Sequence, residues 1–365
     1  MTTDSARQYA RTRYRLLVID LVASLLFLGL IQASGWSHAL ARWWARWVTS
    51  EPLIIAGYLT VLGGASYALT WPLHFYSSFL LEHRFGLSRL TLRGWWVREL
   101  KRLGLSALVG LLLIEGFYAL LRSAPTTWPL WATIGWVGFS VVLARSVPTV
   151  VLPLFYKTSP VHDPQLVRRL AALCERVGLS ALGVFRVDLG VETRKANAAL
   201  AGLGRTRRIL LSDTLLSAFP PEEIEGVLAH ELAHHRYRHL TKLLLLSACG
   251  SWGAFLLTAV VSRWWVAALG LNGLSDIAGF PMVSLWLSGL GLVGLPLQNG
   301  LSRYFEWQAD RFAVEVTGRP AAFASALRRL GSLNLADPNP PRWVEWYLYD
   351  HPSLPRRIAA AEAGS

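Results

Sequence analysis

Hydrophobic and polar positions segregate into long blocks along the 365 residues. Six apolar stretches, near residues 16–33, 53–73, 104–121, 129–153, 240–261 and 277–301, each approach the ~20 residues a helix needs to cross a bilayer core. The connections carry basic residues unevenly. Arg7, Arg11, Arg13 and Arg15 precede the first stretch, Arg42 and Arg46 follow it, and Arg84, Arg89, Arg93, Arg98, Lys101 and Arg102 crowd the next connection. Only Arg122 follows the third stretch and only Arg263 the fifth. This alternation predicts that both termini and the 154–239 block face the cytoplasm. The first stretch is longer than a signal-peptide core and lacks a clear small-x-small cleavage site, so it reads as an uncleaved span.

The 154–239 block is the one long polar segment between spans. "DPQLVRRLAALCERVG" (163–178) repeats apolar residues at helical spacing and ends at Gly178, while "ALGVFRVDLG" (181–190) and "RRILLSD" (207–213) are short β-prone runs. "SAFPPEEIEGVLAHELAHH" then opens a helix, with two prolines followed by Glu222 and Glu223 where the helix dipole favours acids. That helix is expected to run straight into the fifth span. The pattern predicts a mainly α, polytopic membrane protein with a small cytoplasmic α+β unit. Its divisions are four N-terminal spans (1–153), the α+β unit (154–239), two further spans (240–301) and a C-terminal cytoplasmic segment (302–365).

Composition agrees. Hydrophobic residues make up 53% and charged residues 16%, and the mean hydropathy of +0.36 excludes an ordinary soluble chain. The net charge of +13 and the 17 tryptophans suit Arg and Trp anchors at a bilayer interface. Only Lys101, Lys157, Lys195 and Lys242 are lysines, and no nucleic-acid partner is expected. Cys174 and Cys249 are far apart, which argues against a disulfide framework or a cysteine metal site.

The chemistry concentrates in "VLAHELAHHRYRHL" (227–240). His230 and His234 lie four residues apart, on one helix face, where two imidazoles reach a single ion. His235 sits about 140° round from His230, and His239 nearly opposite. Glu231 is placed to act on water beside the ion rather than to ligate it, the logic of an H-E-x-x-H zinc peptidase. A catalytic zinc needs a third protein ligand. "SRYFEWQADRFA" (302–313), just after the last span, offers Glu306 as that ligand, and Asp310 one turn on as acceptor for the free N–H of a ligating histidine.

With these motifs the chain resembles the type I CAAX prenyl protease family, integral-membrane zinc metallopeptidases related to the HtpX heat-shock proteases. The likeness extends through "PLHFYSSFLLEHRFGLSRLTLRGWW" (72–96), "KANAALAGLGRTRRILLSDTLL" (195–216) and "DHPSLPRRI" (350–358), and "LEHRFGLS" favours the prenyl-protease branch. The resemblance implies one Zn2+ per chain on His230, His234 and Glu306, Glu231 as general base and Asp310 behind the ligands. It further implies that Asn197 contacts the substrate main chain, that His351 stabilises the oxyanion and that Arg357 supports it. The chain departs from the family at Lys195 and Ala196, where a histidine or polar pair is usual. The family fold, a ring of seven helices around a water-filled intramembrane chamber, compares with six spans resolved here. A seventh is expected from a break of the last span at Pro281 or Pro296. A chamber would also account for Asp20, Glu115 and Arg145 in apolar stretches, beside the alternative of snorkelling or a structural ion pair.

The expected activity is zinc-dependent hydrolysis near the C-terminus of a peptide or protein substrate, prenylated or otherwise membrane-associated, in a bacterial inner membrane with the site facing the cytoplasm. Quality control of membrane proteins is the alternative. A transporter leaves H-E-x-x-H with E-x-x-x-D unexplained, and a non-catalytic peptide-binding scaffold is separated from an enzyme by the effect of losing Glu231. Oligomeric state and the role of Leu81–Ser88 are not legible.

Overall fold

The computed structural model describes residues 3–179, 183–202 and 207–363. Six helices are long and apolar enough to cross a membrane: α1 (Thr3–Ala33), α3 (Glu51–Arg84), α4 (Leu92–Ser123), α5 (Trp128–Phe155), α9 (His239–Ala268) and α10 (Phe280–Thr317). Between α1 and α3 lies the short helix α2 (Trp36–Trp47). The spans pack as a closed ring, α1 on α3, α3 on α4, α4 on α5, α5 on α9, α9 on α10 and α10 back on α1. Six cylinders of ~10 Å diameter in a ring leave a space about as wide as one more helix. Burial is accordingly slight: in four of the six, only 6% of the most apolar window is buried.

One end of the ring is closed. Ser37 of α2 donates to the Ala278 carbonyl at 2.5 Å and pairs with Tyr58 of α3 at 2.7 Å, so α2 and the turn before α10 form a floor. The opposite end carries the polar unit. There a four-stranded sheet of order β1-β2-β4-β3 comprises β1 (Thr158–Pro160), β2 (Val184–Val187), β3 (Ala198–Ala201) and β4 (Arg208–Ser212). Only β2 and β4 are parallel. Residues 181 and 182 of the first β-prone run lie outside the described residues. The helix α6 (Pro164–Arg176) follows β1, as the helical spacing of that stretch predicted, and its N-terminus is capped by Asp163. After β4 come α7 (Asp213–Ala218) and α8 (Pro221–Arg236), and after α10 the helices α11 (Pro320–Asn334), α12 (Arg342–Leu348) and α13 (Leu354–Glu362). A single core joins Leu170, Leu211, Ala229 and Leu232 to Phe323, Leu327 and Ala361, so the segment after the last span folds into the same body as the sheet.

Two expectations fail locally. The H-E-x-x-H helix does not run on into the fifth span: α8 ends at Arg236, and Arg238, with φ of 54°, turns the chain before α9 begins at His239. The last span does not break, because Pro281 sits in the first turn, where its missing N–H costs nothing. Pro296 cannot donate to the carbonyl of Leu292, and the Tyr347 hydroxyl donates to that carbonyl instead, at 2.8 Å. The described chain therefore has six spans. Asp20, Glu115 and Arg145 form no ion pair among the described residues. Asp20 and Arg145 are exposed, and Asp20 lines a cavity of about 680 Å³ between α1, α10 and residues 334–349.

The "LEHRFGLS" stretch is the hinge pin between spans and sheet. The Leu87 carbonyl accepts from Arg194 N–H at 2.9 Å and from the Thr193 hydroxyl at 3.1 Å, and Arg89 N–H donates to the Glu192 carbonyl at 2.7 Å. Glu82 pairs with Lys195 at 2.8 Å and accepts from Tyr9 of α1. The departure at Lys195 thus has a structural partner in the same stretch. Arg98 of α4 pairs with Glu192 as well.

Candidate metal centre

The centre lies where α8 crosses α10, at the end of the ring that carries the polar unit. The 3.6-residue period brings His230 and His234 to one face of α8, and Glu306 and Asp310 to the facing side of α10. His230 Nε2 lies 3.2 Å from His234 Nε2 and 3.3 Å from Glu306 Oε2, and His234 Nε2 lies 3.3 Å from Glu306 Oε1. Ligand atoms around a tetrahedral zinc with bonds of ~2.05 Å are about 3.3 Å apart. These three are the one group of metal-binding spacing among the described residues. Glu306 Oε2 is buried with no hydrogen-bond partner, as a carboxylate oxygen set aside for a cation requires. The donors therefore fit a divalent metal.

Each imidazole is held by its other nitrogen. His230 Nδ1–H donates to Asp310 Oδ1 at 2.9 Å, which leaves the Nε2 lone pair facing Glu306 and His234. Asp310 is in turn gripped by Arg357 of α13, Nη2 to Oδ1 at 2.6 Å and Nε to Oδ2 at 2.8 Å, a two-point pair in which both side chains are buried. His234 Nδ1 lies 3.0 Å from His239 Nδ1, and His239 Nε2 lies 3.1 Å from Gln308 Oε1. One tautomer set satisfies this chain: His234 donates to His239 and His239 donates to Gln308. His239, stacked on Phe305 at 4.3 Å, is the positioning residue that sequence reasoning placed on the wrong side of the helix. The turn at Arg238 swings it back.

Burial pulls the His230 pKa down, but its hydrogen bond to Asp310 and the adjacent Glu306 carboxylate outweigh this and raise it to about 9. Without metal the ring is thus a cation between two acids, and a ligating His230 must lose a proton. Glu231 lines the adjoining cleft of about 410 Å³ together with His230, Asn197, Ala198, His351 and Arg357. It makes no hydrogen bond among the described residues. His351 is exposed, its Nδ1 2.8 Å from Asp350 Oδ1 and its Nε2 3.3 Å from Glu306 Oε1. Partial desolvation by the cleft wall lowers its pKa, and the Asp350 hydrogen bond and the Glu306 charge more than reverse that. Arg303 of α10 fixes the segment leading to His351 by donating to the carbonyls of Glu345 (3.0 Å) and Tyr349 (2.6 Å), and Asn299 donates to that of Tyr347 (2.7 Å). Nothing in the residue pattern pointed to either.

Of the eight residues singled out from the sequence, Asn197, His230, Glu231, His351 and Arg357 line this cleft, and His234, Glu306 and Asp310 adjoin it through His230. Asn197 is exposed at the start of β3, with its own main chain bound to Ser212. His235 was set aside as a ligand, and its Nε2 donates instead to the Leu200 carbonyl of β3 at 2.9 Å. Burial is the main reason its pKa is lowered.

Comparison with known proteins extends these observations to the whole chain. The family model of Peptidase family M48 matches residues 160–364, and the one described as CAAX prenyl protease N-terminal, five membrane helices, matches residues 1–157. Four long helices and the short α2 occupy that N-terminal part here, and α2, with 12 residues, is too short to cross a bilayer. Similar proteins include the uncharacterized metalloprotease YhfN of Bacillus subtilis, 27% identical over 361 residues that cover 98% of this chain and 84% of the relative. CAAX prenyl protease 1 of Saccharomyces cerevisiae is 28% identical over 324 residues, covering 84% and 71% of the two chains. The crystal structure of S. mikatae Ste24p matches with a TM-score of 0.88 at 25% identity, over 99% of this chain and 89% of that one.

Proposed function

The chain belongs to peptidase family M48 and is an integral-membrane metalloprotease; from that premise we propose that it is a zinc endopeptidase cutting peptide chains near their C-terminus, at the end of the helix ring that carries the polar unit. The observation that supports this most is the triangle of His230, His234 and Glu306 donor atoms at 3.2–3.3 Å, with Glu231 at its side in a cleft bounded by a strand edge. Two imidazoles and a carboxylate with one position open are a donor set for catalytic zinc, one ion per chain. When bound, zinc supplies polarisation of the scissile carbonyl and acidification of a water molecule toward a pKa of ~7.

The chain's own residues supply the rest. Glu231 accepts the proton of the attacking water and delivers it to the departing amine. His351, its Nδ1–H held by Asp350, presents Nε2–H to the developing oxyanion. Asp310 and Arg357 keep the His230 ring in its ligating tautomer, and His239 does the same for His234. Asn197 and the outer edge of β3 take the substrate main chain in extended form. The alternation of basic residues supports a cytoplasmic site, the scarcity of lysine beside arginine favours a bacterial inner membrane, and the apolar and polar blocks support the division of the chain into spans 1–153 and 240–301 and polar parts 154–239 and 302–365.

A prenylated C-terminus is the substrate suggested by the yeast relative's name. A second reading, turnover of unprenylated membrane proteins, is favoured by the nature of the edge strand: Ala198, Ala199 and Ala201 make little demand on substrate side chains. Matched peptides with and without a farnesyl cysteine distinguish the two. Cleavage of the farnesylated peptide alone supports prenyl processing, equal cleavage supports the second reading, and cleavage of neither by zinc-loaded protein contradicts both.

A further inference from the structure

An edge strand offers a partner every second residue, because alternate main-chain groups turn toward and away from its neighbour. In β3 the inward set is fixed by the Asn197 carbonyl, which accepts from Ser212 N–H of β4 at 2.9 Å, and by the antiparallel register of Ala199 with Leu210. The outward set is therefore Ala196, Ala198 and Leu200. Two of the three are already engaged by side chains. Asn334, the last residue of α11, accepts from Ala196 N–H through Oδ1 at 3.0 Å and donates to the Ala196 carbonyl from Nδ2 at 3.2 Å. Its amide thus satisfies both groups that a paired strand residue would satisfy. His235 takes only the carbonyl of Leu200. Ala198 is the one outward position with no partner among the described residues, and it lies in the cleft beside Glu231.

Asn334 is held there firmly. The following Leu335 has φ of 50°, a conformation that a leucine keeps only where its surroundings enforce it, and its side chain is buried against Tyr9, Leu81, Phe85 and Leu87. The end of the docking edge is thus built from the junction between spans and sheet.

Resting on the peptidase reading above, we infer that Asn334 is an end-stop that fixes how far a substrate extends beyond the scissile bond. A peptide added antiparallel to β3, as β4 is, runs with its C-terminal end toward Ala196. The substrate residue opposite Ala198 can pair freely; the residue two further on meets Ala196, whose groups Asn334 already fills. Bonds only a few residues from a chain's C-terminus are thereby favoured over bonds farther in, and Asn334 is a specificity-determining residue that touches substrate only at its C-terminal side.

The test uses the detergent-purified, zinc-loaded full chain and peptides carrying a farnesyl cysteine followed by three, five or eight residues, with products read by mass spectrometry. For wild type, kcat/KM falls about tenfold from the shortest to the longest peptide, the cost of displacing two hydrogen bonds. The same extension at the N-terminal end leaves it within about threefold, since no comparable pair is displaced. In Asn334→Ala the ratio between short and long peptides collapses toward one, and in Asn334→Asp, which keeps the acceptor for Ala196 N–H but loses the donor, it lies between. Each ratio is taken within one variant, so a loss of folded protein does not enter it. Equal cleavage of all C-terminal lengths by wild type, or an unchanged ratio in Asn334→Ala, overturns the end-stop and leaves the peptidase standing. Inhibition by N-terminal rather than C-terminal extension overturns the antiparallel register and the end-stop with it. Failure to cleave any peptide overturns the peptidase reading and this inference together.

Discussion

Asp310→Asn probes how much of the metal site resides behind the ligands. Asp310 makes three contacts at once, with His230 Nδ1 at 2.9 Å and with two nitrogens of Arg357 at 2.6 and 2.8 Å. Asparagine has nearly the same shape but one acceptor. If its oxygen faces His230, its NH2 group confronts the guanidinium, donor against donor. The buried Arg357 cation then has Glu306 Oε2, at 3.7 Å, as its nearest carboxylate, and competes with the metal for it. Loss of such a supporting partner lowers metal affinity by about 10- to 100-fold, or ~1.4 to 2.8 kcal/mol. Breaking one side of a buried ion pair also costs ~3 to 5 kcal/mol of stability. Zinc affinity is measured by competition with a chromophoric chelator on detergent-purified protein whose helix content matches wild type. Arg357→Lys, which cannot reproduce the two-point grip, shifts affinity in the same direction by less. A zinc affinity for Asp310→Asn within about twofold of wild type would refute the reasoning, because it would show that His230 needs no orienting carboxylate.

Further consequences are as direct. Glu231→Gln keeps about one zinc per chain and loses turnover by ~100-fold or more, so metal analysis and rate are measured on one sample; near wild-type turnover contradicts its role as base. His239→Ala weakens zinc binding by about tenfold through the unsupported His234, whereas His235→Ala leaves zinc affinity unchanged and lowers KM by freeing the Leu200 carbonyl to accept from a substrate N–H, a contrast that titration and kinetics read separately. Metal uptake at neutral pH expels a proton from His230, whose metal-free pKa is about 9. Apparent zinc affinity therefore rises about tenfold per pH unit between pH 6 and 8 from this group alone, and calorimetry in buffers of different ionisation enthalpy detects the released proton. The sign follows from the raised value: protonated His230 is favoured in the metal-free fold below its ordinary pKa, and that stabilisation fades as pH rises through about 9.

Much of this site is legible in the chain because helices translate spacing into geometry. His230 with His234, and Glu306 with Asp310, are each one turn apart, and no tertiary knowledge is needed to put each pair on one face. The spans are legible for a similar reason, since ~20 apolar residues have few other fates. What escapes is set by single backbone events or by distant partners. Arg238 in a left-handed conformation has no sequence signal, as glycine or asparagine would, yet it decides that α8 ends and that His239 supports His234. The unbroken α10 depends on Tyr347, 51 residues beyond Pro296, supplying the missing hydrogen bond. β3 escapes because an alanine-rich tetrapeptide has weak strand preference and becomes a strand only by pairing with β4. The "LEHRFGLS" motif carries no catalytic chemistry of its own; its role lies in the bonds of the Leu87 carbonyl and the Glu82 side chain to residues 193–195, about a hundred residues away.

The most direct test of the central claim is hydrolysis of a C-terminal peptide by the purified full chain, with and without a zinc chelator, beside the Glu231→Gln variant. Cleavage within a few residues of the peptide's C-terminus, abolished by the chelator, restored by added zinc and absent in the variant, is the predicted result. Cleavage that survives both metal removal and loss of Glu231 would contradict it, as would no cleavage of either farnesylated or plain peptides by protein holding one zinc per chain.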